Sequence, residues 1–298
     1  SWGAGNDIQL ALSENSPAYD YGMLDLDFGK LKVRYFHGYL ETDTLSYNRY
    51  MTGRGIEWSN QKSLVLGLSE TVIYSGQNRS IDFAYFNPMS THLEIELNER
   101  QNLEGTDGGN GVWQISADWL IRNNIRISGN YLFDEFVLDD EQKDEGKGHG
   151  RAHSLKGVYT PIKTQNAIYS FYFSNISVGT HTFKHQSGYN NFVQRNKPLG
   201  WLEGSDSREI NLGVNTLYKN NLIANIEFGQ REIGEGNIIE SLYEGYTDYL
   251  DGPFPSGDVE TIIFVMGRLQ WWWKQNLSLI TEFEYNDSNR NDIEFQFN

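Results

Sequence analysis

A 298-residue chain of net charge −16 lacks the basic stripe that phosphates require, so nucleic acid is excluded as a partner. Only 38% of it is hydrophobic, the mean hydropathy is −0.57, and the longest clean apolar run, Ile262 to Met266, is far too short to cross a bilayer as a helix. Yet it carries 18 Tyr, 16 Phe and 8 Trp, mostly set singly among polar residues, and no Cys, as suits a periplasmic or outer-membrane protein.

No basic stretch followed by an apolar one opens the chain, which therefore reads as a mature or trimmed product. From Asp20 to Glu41, two alternating segments flank Gly29-Lys30, the signal of a hairpin with a two-residue turn. That turn sets Phe28 against Leu31, Leu26 against Val33 and Leu24 against Tyr35 on one face. It sets Asp27 against Lys32 and Asp25 against Arg34 on the other, and a one-residue slip would spoil both faces. Tyr50 to Ser59 and Ser63 to Tyr74 repeat the design around an Asn60-Gln61-Lys62 loop, with Trp58 expected opposite Leu64 and Ile56 opposite Leu66.

Trp113 to Ile121 and Ile125 to Asp134 alternate across Arg122-Asn123-Asn124. His153 to Thr160 and Ala167 to Val178 are joined across Pro161. Arg208 to Tyr218 and Leu222 to Glu232 turn at Lys219-Asn220-Asn221, and Val259 to Trp272 and Leu277 to Asn286 turn at Lys274-Gln275-Asn276. A last strand places Ile293, Phe295 and Phe297 between Glu294 and Gln296. These are thirteen strands, with Ile8 to Ser13 as a candidate fourteenth.

Short turns near 29, 61, 123, 163, 220 and 275 alternate with long connections at 42–49, 75–110, 139–150, 179–205 and 233–257, and a brief one at 287–290. Tight turns at one end and long loops at the other predict an all-β fold, a transmembrane antiparallel up-and-down β-barrel. A β-sandwich would mix loop lengths at both ends and would not need Trp or Tyr near strand ends, as at Trp58, Trp119, Tyr218 and Trp271 to Trp273. On this reading residues 1–298 form one barrel domain in the bacterial outer membrane, in contact with its lipid and lipopolysaccharide. Residues 1–20 lead in from outside or from the lumen, and 75–110 and 179–205 are long extracellular or plug loops. With short turns periplasmic, thirteen strands imply an odd number of further strands on the N-terminal side, since such barrels have even counts.

Several blocks resemble the capsule-assembly Wzi family of outer-membrane proteins, in a Bacteroidetes-like branch. They are Ser-Trp-Gly-Ala-Gly at 1–5, Leu-Ala-Leu-Ser-Glu-Asn-Ser-Pro at 10–17, Phe-Gly-Lys-Leu-Lys-Val-Arg-Tyr-Phe-His-Gly at 28–38, and Leu66-Gly-Leu-Ser-Glu-Thr-Val-Ile-Tyr-Ser-Gly followed by Ala84-Tyr-Phe-Asn-Pro-Met89. The resemblance covers most of the first half, and the closing hairpin from Trp271 is similar too. It implies a barrel of about eighteen strands, about five of them upstream of this chain, and a role in holding or organising exported capsular polysaccharide. It implies no catalytic residues. The His that the family tends to have near Gly55 is missing, as is its N-terminal helical segment, so nothing assigned to that segment carries over.

The polar face of the strands carries Asp25, Asp27, Lys32, Arg34, Glu57, Asp118, Arg126, Asp134, Glu209, Glu227, Arg231, Arg268, Glu282, Glu284 and Glu294, mixed in sign, which reads as a ladder of lumen ion pairs led by Asp25/Arg34 and Asp27/Lys32. Strict alternation aims Glu70 at lipid with Leu64, Leu66 and Leu68, and a bulge at Ser69-Glu70 is expected to turn it inward. For saccharide, the stretch 179–202 offers Lys184, Arg195 and Lys197 without an acidic residue, together with Phe183, Tyr189, Phe192 and Trp201: donors for carboxylates and flat faces for sugar rings. Lys184, Tyr189, Arg195, Lys197 and Trp201 are the candidate polysaccharide-binding residues, and the bland alternative is a loop folded back into the lumen with its aromatics as packing.

The acidic run Asp139 to Glu145 lacks the spacing of a calcium loop and reads as a solvated charge run. The pairs His149/His153 and His181/His185 lie on loops or strand starts, where a spacing of four does not converge on a metal. Glu282 and Glu284 resemble a glycosidase pair only as any two lumen carboxylates do. The expectation is a non-enzymatic barrel that binds surface polysaccharide, with no cofactor or metal; the alternative is a porin or solute channel, and 75–110 is the expected lumen plug.

Overall fold

The computed structural model describes residues 9–41, 46–88, 90–97, 106–134, 140–186, 188–239, 250–290 and 294–297, and of 93, 96, 97, 106, 107 and 294–297 the backbone alone. The blocks at 1–5 and Met89, Asp139 and Ile293 lie outside the described residues. The strands are β1 (Asp20–Asp27), β2 (Leu31–Tyr39), β3 (Tyr47–Ser59), β4 (Leu64–Gln77), β5 (Thr106–Arg122), β6 (Ile125–Phe133), β7 (Arg151–Lys163), β8 (Ala167–Val178), β9 (Val193–Gln194), β10 (Lys197–Pro198), β11 (Ser207–Tyr218), β12 (Leu222–Ile233), β13 (Glu260–Lys274), β14 (Leu277–Ser288) and β15 (Glu294–Phe297). Two short helices, α1 (His92–Leu97) and α2 (Asp140–Asp144), lie in the long connections. None of the described helices is long and apolar enough to cross a membrane.

Thirteen strands form one antiparallel sheet in which each pairs with its neighbours in sequence, and only the β9–β10 hairpin stands apart. Among the described residues β1 and β15 are the two edges. The β1–β2 register matches the hydrophobic pattern: Leu24 faces Tyr35, Asp25 faces Arg34, Leu26 faces Val33 and Asp27 faces Lys32. The next hairpin differs by two residues, with Trp58 opposite Leu66 and Ile56 opposite Leu68. Its loop takes in Ser63 as well, because the Asn60 side-chain oxygen accepts the N–H groups of Lys62, Ser63 and Leu64 at 2.9, 2.8 and 2.9 Å. A shift of two leaves each side chain on its expected face.

The two faces meet different surroundings. One carries Leu24, Leu26, Ile56, Leu66, Leu68, Ile115, Leu155, Phe171, Phe173, Ile210, Leu212, Phe228 and Leu279, all exposed. So continuous an apolar surface is what a bilayer, not water, accepts. Near the short turns it is bordered by Phe28, Trp58, Trp119, Tyr159, Tyr218, Trp271 and Trp273, an aromatic girdle with Trp271 stacked on Trp273. The opposite, inner face is polar near the turns and apolar near the loops.

That apolar part is the core. Phe36, Met51, Ile73, Val112, Leu132, Ala152 and Ile176 of the inner face pack against Leu10, Ala11 and Leu12 from the N-terminal stretch, and against Phe183, Phe192 and Leu199 from the 179–205 connection. The two incoming segments bond to each other: Ser13 N–H donates to Leu199 O at 2.7 Å and Trp201 N–H to Leu10 O at 3.0 Å. Gly200 is required there, since a Cβ would stand 1.7 Å from the Leu10 carbonyl oxygen. Burial against this plug pushes the Tyr19 phenol up to about 12.

The described residues of the 75–110 connection do not enter the plug. Residues 79–88 and α1 form a strap laid across the outer face of β2–β5. Tyr85, fully buried, stacks on Tyr74 with centroids 4.1 Å apart, and Phe86 stacks on His37 at 4.4 Å. Wall side chains hold the strap's carbonyls: Tyr50 Oη and Asn48 Nδ2 donate to Arg79 O, Tyr35 Oη to Tyr85 O, and Arg54 Nη1 to Asn87 O. The His92 ring lies over Gly111, where a Cβ would come within 2.6 Å of it.

Candidate functional site

The 179–205 connection is built from its anchors outward. Arg49, near the loop end of β3, reaches from the inner face and donates to three carbonyls, Tyr189 O at 2.6 Å, Asn191 O at 3.0 Å and Val193 O at 2.8 Å. Asn110 on β5 holds Phe183 O, Lys184 O and Asn190 O at 3.3, 3.4 and 3.1 Å, and Asp134 accepts the Phe183 N–H. With its backbone so bound, the loop buries Phe183, Phe192 and Leu199 and turns β9 and β10 back on each other at its tip.

The turn of that hairpin is Arg195-Asn196, both with positive φ, 51° and 57°. A two-residue turn of this kind favours Asn, Asp or Gly at both places, so Arg195 sits in the left-handed region at a cost of ~1–2 kcal/mol. Arg195 and Lys197 are both exposed at the tip. Because one Arg49 guanidinium binds Tyr189 O and Val193 O together, the half-buried Tyr189 stands at the foot of the hairpin. Its ring stacks on Tyr47 with centroids 3.9 Å apart.

The structure thus brings together three of the five expected saccharide residues, Tyr189, Arg195 and Lys197. Lys184 is half-buried and belongs to the stretch tied down by Asn110. Trp201 is half-buried and packs against the plug core, with its Nε1 buried and without a hydrogen-bond partner. The bland alternative, a loop folded into the lumen with its aromatics as packing, describes Phe183, Phe192 and Trp201, while the tip keeps the cations.

Below the plug the inner face is polar. Arg34 and Asp25 form a two-pronged pair at 2.5 and 2.9 Å, Arg126 and Asp118 pair at 2.8 Å, Arg231 binds both Glu209 and Glu203 at 2.7 Å, and Arg268 meets Glu282 at 3.3 Å. Asp27 and Lys32 face each other in the ladder, but the Asp27 carboxylate accepts the Gly29 N–H at 2.7 Å and so fastens the turn instead of pairing with the lysine. A hollow of about 280 Å³ is lined here by Asp25, Lys32, Arg34, Glu57 and Ser116.

Glu70 is a correction. The β3–β4 and β4–β5 registers run unbroken through Ser69 and Glu70, so no bulge turns the carboxylate inward, and it stays on the outer face with Leu66 and Leu68. It is only 2% exposed because the strap covers it. Its Oε1 accepts from His92 Nδ1 at 2.7 Å and from the His92 N–H at 3.1 Å, and its Oε2 lies 3.0 Å from Arg54 Nε, an ion pair not aimed as a hydrogen bond. Alternation gave the direction of Glu70 correctly; what it missed was the cover. The strap and Arg49 left no periodic signal, since each acts through backbone carbonyls of a distant segment.

No family model matches the chain, and no curated protein matches it in sequence. Among solved structures it is similar to Wzi, the outer-membrane protein involved in group 1 capsule assembly in Escherichia coli and a carbohydrate-binding β-barrel. The likeness has a TM-score of 0.68 at 13% identity over 99% of this chain, which spans 63% of that protein's length. BamA from Haemophilus ducreyi follows with a TM-score of 0.40 at 10% identity, covering 93% of this chain and 60% of that one. The monoaromatic hydrocarbon channel CymD has a TM-score of 0.36 at 8% identity, covering 94% and 79%. At such identities the likeness is one of fold, and it is the likeness to Wzi that carries it. The open wall of thirteen antiparallel strands, apolar outside and, near the turns, polar within, therefore has the fold of a bacterial outer-membrane β-barrel of the Wzi type.

Proposed function

We propose that the chain is a single non-enzymatic barrel domain in the outer membrane that binds or organises exported capsular or surface polysaccharide at its loop end. The observation that carries this reading is the β9–β10 hairpin: Arg195 and Lys197 held exposed on a tied-down plug, with the Tyr47–Tyr189 stack at its foot, in a chain whose net charge is −16. Guanidinium and ammonium groups bind the carboxylates of acidic sugars, and a tyrosine pair offers a flat face to a ring. The likeness to a carbohydrate-binding barrel supports the same reading. A solute channel fits less well, because the inner face near the loops is packed by Leu10, Phe183, Phe192 and Leu199.

The test is binding of purified protein to an acidic capsular polysaccharide, comparing wild type with Arg195→Glu/Lys197→Glu. Reversing two exposed charges is expected to weaken binding by about tenfold or more at low salt and to leave the fold intact. Equal binding by both proteins overturns the assignment of the tip.

A further inference from the structure

On the outer face, where β7, β8, β11 and β12 run side by side, a groove of about 630 Å³ opens beneath the β12–β13 connection. Its two halves differ in chemistry. Toward the turns it is lined by Ile210, Leu212 and Phe228, exposed members of the apolar band, and the connection adds Phe254 to the groove from outside the sheet. Toward the loops it is lined by His153, Ser177, Arg208 and Glu232, with Asn175 at the boundary, paired with Ile210 across the β8–β11 ladder.

The change falls at a definite height. Arg208 pairs with Glu232 across the ladder, and both lie ten residues from the girdle at Tyr218 and Leu222. Ten residues at ~3.3 Å each and ~40° of tilt rise about 25 Å, the height of the apolar band of such a barrel. The apolar half thus lies within the hydrocarbon and the polar half at headgroup level.

The polar half is also close to neutral. Arg208 donates to Glu232 Oε2 through Nε at 2.7 Å, with Nη2 2.6 Å from the same oxygen as an ion pair, Gln230 donates to the other Glu232 oxygen at 2.9 Å, and His153 meets Asn175 Oδ1 at 3.2 Å. A lipid phosphate would find no surplus cation here. A fixed array of amide, hydroxyl and paired charged groups suits hydroxyls, which both donate and accept. Over β2–β5 the strap occupies the corresponding outer surface, whereas this groove is continuous with the lipid-facing band.

We propose that the groove binds a glycolipid of the surrounding leaflet, its acyl chains along Ile210, Leu212, Phe228 and Phe254 and its sugar headgroup against Asn175, Ser177 and the Arg208–Glu232 pair. This rests on the reading of the chain as a membrane-embedded barrel. The protein is placed in nanodiscs holding equal amounts of monogalactosyl diacylglycerol and phosphatidylglycerol with matched chains, and the lipids it retains are counted by native mass spectrometry. Wild type is expected to retain the galactolipid about tenfold over phosphatidylglycerol, Arg208→Met/Glu232→Met to lose the preference, and Phe254→Ala to retain less of both. Equal retention by wild type, preference for phosphatidylglycerol, or an unchanged preference in the double variant overturns the proposal. Heat-modifiable gel migration is measured on the same samples. A heat-modifiable protein without preference overturns the glycolipid site alone, and a protein that never becomes heat-modifiable overturns the barrel reading with it.

Discussion

Replacing Glu70 with Ala should release the strap without opening the wall. The substitution leaves the Arg54 guanidinium, 7% exposed, with the Asn87 carbonyl as its hydrogen-bond partner, and removes both bonds that Glu70 Oε1 accepts from His92. Breaking a buried charge pair from one side costs ~3–5 kcal/mol. What still holds the strap is Tyr85 against Tyr74, Phe86 against His37 and the carbonyl contacts around Arg79, while the β3–β4 and β4–β5 ladders are untouched. The loss should therefore appear as local opening. Hydrogen exchange of the amides of 80–87 is expected to rise by about two to four orders of magnitude, while β6 to β8 keep their protection. Glu70→Leu combined with Arg54→Met, which removes both charges and leaves apolar bulk, should return most of that protection. Exchange in 80–87 within twofold of wild type, or an equal rise across β6 to β8, refutes the assignment of Glu70 as the strap's anchor.

Arg49→Ala removes three hydrogen bonds from the plug loop, so planar bilayers containing it should show intermittent conductance steps where wild type shows none; a silent variant would mean that the loop is held in place without Arg49. Trp201→Phe gives up an indole N–H that has no partner, so its unfolding free energy should fall by no more than about 1 kcal/mol and its affinity for polysaccharide should equal wild type, read by denaturant titration and direct binding. A drop in affinity would place Trp201 in the sugar site.

The strands were legible because lipid outside and polar groups within impose a strict period of two. Leu24, Leu26, Val33 and Tyr35 alternate with Asp25, Asp27, Lys32 and Arg34, and the observed register follows. Turn lengths were legible to within a residue or two, and Asn60 shows why: its side chain binds three successive amides, a local bond that hydrophobic periodicity does not encode. The destination of the long connections was not legible. Both 75–110 and 179–205 carry aromatics, and nothing in their composition says which face of the wall each will cover. The deciding partners are far apart in sequence, Tyr35 with Tyr85 and Arg49 with Tyr189. In hindsight the two blocks at 66–76 and 84–89 belong together for a physical reason: Tyr74 of the first stacks on Tyr85 of the second.

The plug joins residues about 190 positions apart, Leu10 with Trp201 and Ser13 with Leu199. Contacts so distant along the chain carry a large loop-closure cost and form only when the intervening wall has already brought their ends near. The N-terminal stretch must wait through the assembly of β1 to β8 before it finds its partner. Sealing is thus among the late events of folding, and a chain stalled before β9 would be a wall with an unsealed pore.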